Sequence, residues 1–286
     1  MNAFLTEGMN EWWLRIGMYE SIWIWAFWLV SAFILGSCIG SFLNVCIWRI
    51  PLGQSISDAP SHCPKCGVLI RWYDNIPLYG YLRLRGRCRN CREKISPRYL
   101  VMEIVTGAMF ALLLAKIGWT GEPPAKVMLY FPMAMLIITT ALIDWEHRLI
   151  PDLTTYPAMI AGVTVSFFFP SVWGMKEWYW SGLFSLGSLA VFGILLSLFA
   201  LIGRRVAGRD VLGWGDVKYL MATGALLGWA GAFFTLLAGS LAGSVYGVAL
   251  AVWRKRKLRR VAIPFGPFLA GASLLWMLVG SRLLAW

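Results

Sequence analysis

The segment Gly213-Trp214-Gly215-Asp216-Val217-Lys218 places a carboxylate at the entrance to an apolar run, Tyr219 to Ala230, just after the cations Arg204, Arg205 and Arg209. An acidic side chain in a membrane helix costs about 2.5–3.5 kcal/mol at the helix centre and less near the interface, so by default it marks a functional site. Gly213 and Gly215 carry no side-chain bulk, which lets another backbone, a substrate's included, approach Asp216 closely. A second carboxylate, Asp144, directly follows the apolar stretch Met133 to Ile143. Two carboxylates brought together share one proton, because both cannot ionise cheaply at short range. One can then act as base toward a water while the other, protonated, polarises a carbonyl; this chemistry needs neither a metal nor a covalent intermediate. The residues also allow a plainer reading, in which these aspartates cap helices or pair with Arg148 or Lys218. Pro151 is placed to end or redirect the helix that carries Asp144, and Asp152 to cap the next one.

A different chemistry is written into Cys63-Pro64-Lys65-Cys66 and, after 21 intervening residues, Cys88-Arg89-Asn90-Cys91. Two such CxxC turns complete a tetrahedral thiolate site for zinc. Four thiolates leave no open position for water, so the predicted ion is structural, and it would fold a polar segment too short to build much core. His62 adjoins the site as a bystander. Cys38 and Cys46 lie within an apolar run and read as small packed hydrophobes.

The elements that must position these groups are membrane helices. Of 286 residues 59% are hydrophobic, above the 45–50% or so of soluble domains. Eight apolar stretches are candidate spans: Ile22–Ile47, Leu100–Gly118, Val127–Ile143, Leu153–Val172, Ser181–Ile202, Tyr219–Ala230, Ala232–Trp253 and Phe265–Leu284. The sixth and seventh are separated only by Gly228-Trp229-Ala230-Gly231 and should form a tight hairpin. The expected fold is therefore an all-α polytopic membrane protein, with residues 1–47 as tail and first helix, 48–99 as a small cytoplasmic zinc-binding domain, and 100–286 as a membrane-embedded domain. Of the 26 lysines and arginines, 21 fall in alternate loops on one face, which is thereby cytoplasmic. Asp144, Asp152 and Asp216 lie on that face and both termini on the other. Met1 to Glu20 lacks a signal-peptide pattern, so the N-terminus is expected to be retained. The run Arg254 to Arg260 is read as a topology anchor and anionic-lipid contact rather than a nucleic-acid patch.

Several chemistries are excluded by residue content. There is no HExxH, no Walker A sequence and no Rossmann glycine fingerprint, and the two histidines cannot build a common His-based zinc hydrolase site.

Ordered motifs along nearly the whole chain resemble one family. They are Gly40-Ser41-Phe42-Leu43-Asn44-Val45 with Arg49-Ile50-Pro51; the paired CxxC spacing; Asn75-Ile76-Pro77; Leu84-Arg85-Gly86-Arg87-Cys88; Ser96-Pro97-Arg98-Tyr99; Asp144 with Pro151-Asp152; GxGD at 213–216 with Lys218; and Ile263-Pro264-Phe265-Gly266-Pro267-Phe268. The chain is similar in these to bacterial type IV prepilin peptidases, GxGD-type membrane aspartic peptidases that are also N-methyltransferases. The resemblance implies that Asp144 and Asp216 are catalytic, with Gly213, Gly215, Lys218 and Asp152 supporting the site. It further implies a prepilin or pseudopilin substrate of pilus or type II secretion systems, cut after a glycine behind a short basic leader on the cytoplasmic side of the inner membrane. The new N-terminus would then be methylated from S-adenosylmethionine, at a donor site the residues do not identify. Glu103 matches a family position, either as an ion-pair partner of Arg98 or within a methyl-donor pocket. The glycine-containing stretch Gly36 to Asn44 reads as helix packing. The contrasting reading is a non-enzymatic zinc-containing scaffold or a transporter.

Overall fold

Long apolar runs interrupted by short polar turns give helices and nothing else of length. In the computed structural model, residues 22–56, 61–208, 211–254 and 263–283 are described; among them there is no strand, only two isolated bridges, His62 with Leu69 and Arg87 with Lys94. Met1 to Glu20, Arg209 and the basic run beyond Arg254, read above from the sequence, lie outside the described residues. The helices are α1 (Ile22–Arg49), the short α2 (Tyr79–Arg83), α3 (Pro97–Thr120), α4 (Val127–His147), α5 (Asp152–Phe168), α6 (Trp178–Ala207), α7 (Trp214–Trp253) and α8 (Gly266–Leu283). They belong to two compact units divided between Pro123 and Pro124.

Five described segments are long and apolar enough to cross a bilayer: Ile22–Leu52, Pro97–Thr120, Pro124–His147, Trp178–Ala207 and Trp214–Trp253; a shorter apolar helix covers Gly266–Gly280. The fourth expected span is a helix of 17 residues, Asp152–Phe168. Large side chains such as Trp23, Ile34, Ile194 and Phe199 stay exposed on the helix surfaces. That is the arrangement of helices that turn apolar faces toward lipid while satisfying their own backbone.

In the first unit α1 and α3 run antiparallel at close approach. A Cβ on Gly36 would meet the Thr106 carbonyl at 2.7 Å, and one on Gly40 the Met102 carbonyl at 2.9 Å. Asn44 closes the pair by donating to the Tyr99 carbonyl at 3.3 Å. The glycine stretch thus packs helices, as read from the sequence.

In the second unit the hairpin expected between the sixth and seventh spans is present, as two helical arms of α7 that meet at Gly228. Gly228 breaks α7 with φ 73 and ψ 176, a conformation reached essentially only by glycine. The arms fold back on each other: Ser273 of α8 accepts from the Tyr219 hydroxyl at 3.0 Å and lies 3.2 Å from the Thr235 hydroxyl. A straight helix would hold residues 219 and 235 about 24 Å apart. The first arm packs on α5 and α6, with Gly162 against Ala225, Gly224 against Ser188, and Ser185 donating to the Ala225 carbonyl at 2.8 Å. The second arm lies antiparallel to α8, with Gly231 against Trp276, Gly239 against Leu269 and Gly247 against Ile263. The fold-back brings the start of α7 and the start of α8 to the same end of the unit.

Candidate active site

At that end α4 runs out with Asp144 in its last turn and closes on Arg148, which adopts a left-handed conformation (φ 54, ψ 43) and donates its amide to the Asp144 carbonyl at 2.9 Å. The helix therefore stops three residues before Pro151, which serves instead as the N-cap of α5. Asp152 is the first residue of α5 and makes no side-chain cap, so the expected capping role is not what the structure shows. Its carboxylate accepts from Lys218 Nζ at 2.6 Å, because the extended Pro151 turns the start of α5 toward α7. Lys218 also lies 5.3 Å from the Tyr156 ring centroid.

The Asp144 carboxylate is buried, at 6% exposure. Its Oδ2 accepts the backbone N–H of Gly266, the first residue of α8, at 2.7 Å. An anion at this position meets the positive end of a helix and one of the N–H groups that the helix leaves unpaired. A Cβ on Gly266 would fall 2.9 Å from Asp144 Oδ2 and 3.0 Å from Asp144 Cβ and Thr140 Cγ2, so only a residue without one leaves the contact undisturbed. The Thr140 hydroxyl, one turn earlier on α4, is buried without a hydrogen-bond partner.

Asp216 sits in the first turn of α7, partly buried, with Oδ2 2.9 Å from where a Cβ on Gly213 would stand. Gly215 is pressed against Ile150, where an added Cβ would meet Ile150 Cβ at 2.9 Å. The two glycines thus do different work: Gly213 makes room for the carboxylate, and Gly215 lets the α7 start approach the turn after α4. Gly215 packed on Ile150 and Gly266 packed on Asp144 bring the starts of α7 and α8 to the end of α4, so the sequence-distant Asp144 and Asp216 stand at the same end of the unit. Of the residues singled out from the sequence, Asp144, Asp216, Gly213, Gly215, Lys218 and Asp152 all lie at this end of the second unit. Sequence reasoning missed the role of Gly266. The Pro264-to-Phe268 motif flagged the position, but nothing local to it pointed to Asp144.

The cysteines form a separate cluster in the first unit. The ligand atoms of Cys63, Cys66, Cys88 and Cys91 all lie within 4.8 Å of one another. Sulfur pairs are 3.8 Å apart for Cys63–Cys91 and 4.0 Å for Cys66–Cys88. A tetrahedral ion with Zn–S bonds of about 2.3 Å sets its sulfurs about 3.8 Å apart, so the donor set fits that geometry. Both knuckles use the same turn: Gly67 and Arg92 donate to the carbonyls of Cys63 and Cys88 at 2.9 and 3.1 Å. The Val68 amide and the Asn90 side chain hold the Cys66 thiol down at about 6, and backbone amides at Cys91 and Asn90 also lower Cys88. Cys91, although the Glu93 amide favours its thiolate, is pushed up to about 12 by burial and the neighbouring thiols. His62 is not part of the cluster. Glu103 is buried and accepts the Leu78 amide at 2.7 Å, tying α3 to the segment before the second knuckle.

A polytopic helical membrane protein with two aspartates at one end of its second unit and a four-cysteine cluster in a polar segment is the class that fold and sites define. Residues 34–117 match the bacterial peptidase A24 N-terminal domain, and residues 129–248 match the type IV leader peptidase family. The chain is 32% identical over 284 residues to a prepilin leader peptidase/N-methyltransferase of Pseudomonas putida, covering 91% of this chain and 93% of that one. It is 37% identical over 219 residues to the protein of that name from Klebsiella pneumoniae, covering 74% and 91%. The Myxococcus xanthus relative of the same name is 40% identical over 223 residues, which span 77% of this chain but 62% of that one. No solved structure matches the chain. The chain belongs to the type IV leader peptidase family.

Proposed function

We propose that the protein removes the short basic leader of type IV prepilins or type II secretion pseudopilins and then N-methylates the new terminus. Asp144 and Asp216 are the catalytic pair in this reading. The observation that supports it is the packing of Gly215 on Ile150 and of Gly266 on Asp144, which brings the two aspartates, from opposite sides of the α5–α6 pair in sequence, to one end of the second unit in a chain of this family. With one proton between them, one carboxylate takes a proton from water while the other hydrogen-bonds the scissile carbonyl; protonation of the departing amine then breaks the C–N bond. Gly213 leaves room for the Asp216 carboxylate, and Gly215 lets the start of α7 sit against Ile150. Lys218 and Asp152 brace the start of α7 against α5. Cys63, Cys66, Cys88 and Cys91 hold a structural zinc that folds the domain of residues 48–99, and S-adenosylmethionine supplies the methyl group.

The topology assigned to this reading is eight spans in the bacterial inner membrane, with residues 100–286 as the peptidase domain and both termini in the periplasm. Anionic lipids contact the basic run after Trp253, and no nucleic acid is bound. The names of the relatives support the enzymatic reading over a scaffold or transporter. The test is incubation of the purified protein in lipid with a prepilin and S-adenosylmethionine. The expected product has lost its leader and is one methyl group heavier than cleavage alone predicts. An untouched precursor would remove the reading; a cleaved, unmethylated product would remove its second half.

A further inference from the structure

The two zinc-site knuckles share one hydrogen-bonded turn but not one residue at its tightest point. In the first, the position after Cys66 is Gly67 at φ 70; in the second, the position after Cys91 is Arg92 at φ 60. A side chain in this left-handed region is strained relative to glycine. The same happens at the entry to the second knuckle, where Arg85 has φ 51 before Gly86. Two arginines thus occupy backbone positions that favour glycine, and both point at the same place. Arg83, Arg85, Arg89 and Arg92, with Leu84, line an open cavity of about 400 Å3.

The cavity carries a large excess of positive charge. Asp74 takes a two-pronged contact from Arg89, at 2.7 and 2.6 Å, and this guanidinium holds the Asp74 carboxyl below the usual carboxylate range. Arg83, Arg85 and Arg92 form no ion pair among the described residues. The array is also ordered: the guanidiniums of Arg83 and Arg89 lie 5.6 and 5.4 Å from the Tyr73 ring centroid. Trp72 and Leu82, next in sequence to Tyr73 and Arg83, are 78% and 64% exposed. The segment is tied at both ends to membrane-crossing helices, at Arg49 and Pro97. Forked guanidiniums suit phosphate oxygens, and an exposed Trp and Leu beside them suit the headgroup layer of a bilayer.

We infer that Arg83, Arg85 and Arg92, with Arg89 held beside them by Asp74, form a binding site for the phosphate of an anionic lipid headgroup, docking the cysteine segment onto the membrane surface. The inference does not depend on the peptidase chemistry. It is tested on the full-length, zinc-loaded protein by native mass spectrometry with phosphatidylglycerol or phosphatidylcholine added. The wild type is expected to bind phosphatidylglycerol selectively. The Arg85→Gln/Arg92→Gly variant should bind it about thirtyfold more weakly, with phosphatidylcholine binding unchanged. Arg92→Gly installs the residue the first knuckle uses at this turn, so zinc content should stay at the wild-type value and a folding defect is separable from loss of the site. Equal phosphatidylglycerol affinity in the two proteins would overturn the inference. Displacement of the lipid by inorganic phosphate at similar concentration and fixed ionic strength would overturn the choice of a lipid in favour of a free anion.

Discussion

The cysteine cluster and the aspartate pair each gather groups that repel one another when charged, and they are held together by opposite means. Cys63, Cys66, Cys88 and Cys91 are set by tight local turns, in a segment whose described large side chains are mostly exposed. Asp144 and Asp216 are set by the ends of long helices whose inner faces are buried from Met133 and Ile143 to Tyr219 and Leu269. In the proposed function an ion neutralises the first assembly and a shared proton the second. The lesson is that the metal site should fail by unfolding, whereas the carboxylate site should fail in chemistry while its scaffold stands.

The largest effect expected from this contrast is in the first unit. Zinc binding is worth about 10–16 kcal/mol in small zinc-folded peptides, so Cys63→Ser should lose the metal and leave residues 61–95 unprotected in hydrogen exchange, with α4 to α8 as protected as in the wild type. Loss of protection throughout would show that the two regions do not fail separately.

Next is Gly266→Ala, which adds one methyl group against Asp144. Displacing a reacting group by a fraction of an ångström to an ångström costs up to about a hundredfold in rate. Leader cleavage should fall by one to two orders of magnitude with the thermal midpoint nearly unchanged; a wild-type rate would mean that the Gly266 contact does not position the carboxylate.

The cysteine site was legible as a whole, because two CxxC turns specify their own geometry within a few residues. The aspartates were legible as individuals through their places at the ends of apolar runs and through the alternation of basic loops. Their convergence was also readable, but only at the level of a shared membrane face. The hydrogen bond from Gly266 to Asp144 joins positions that no periodicity connects. It depends on α7 folding back at Gly228, which decides where α8 begins. The Asp152 cap was misread for a related reason: a carboxylate after Pro151 satisfies the local capping pattern, and only the packing of α5 on α7 offers it Lys218.

A smaller effect sharpens the comparison through pH. Because Arg89 holds the Asp74 carboxyl down, the pair contributes stability that is fully present above the unfolded carboxylate value of about 3.9 and is lost as pH falls through the lower folded value. Arg89→Gln should therefore weaken hydrogen-exchange protection around Trp72 to Asn75 equally at pH 6 and pH 8, with no change in cleavage. A difference that grows between these two pH values would assign the effect to another group. Smallest of all is Lys218→Met. The pair with Asp152 is exposed enough that it should contribute about 0–1 kcal/mol. Thermal midpoint should hardly move, and a large drop would show that the pair anchors α7 rather than bracing it.

The central claim is that Asp144 and Asp216 act as one unit, and the most direct measurement is the mass of a co-expressed prepilin recovered with wild-type protein and with Asp144→Asn and Asp216→Asn. The account predicts a leaderless product with the wild type and intact precursor with either variant, while both variants keep their zinc and their hydrogen-exchange protection. Normal cleavage by either folded variant would contradict it.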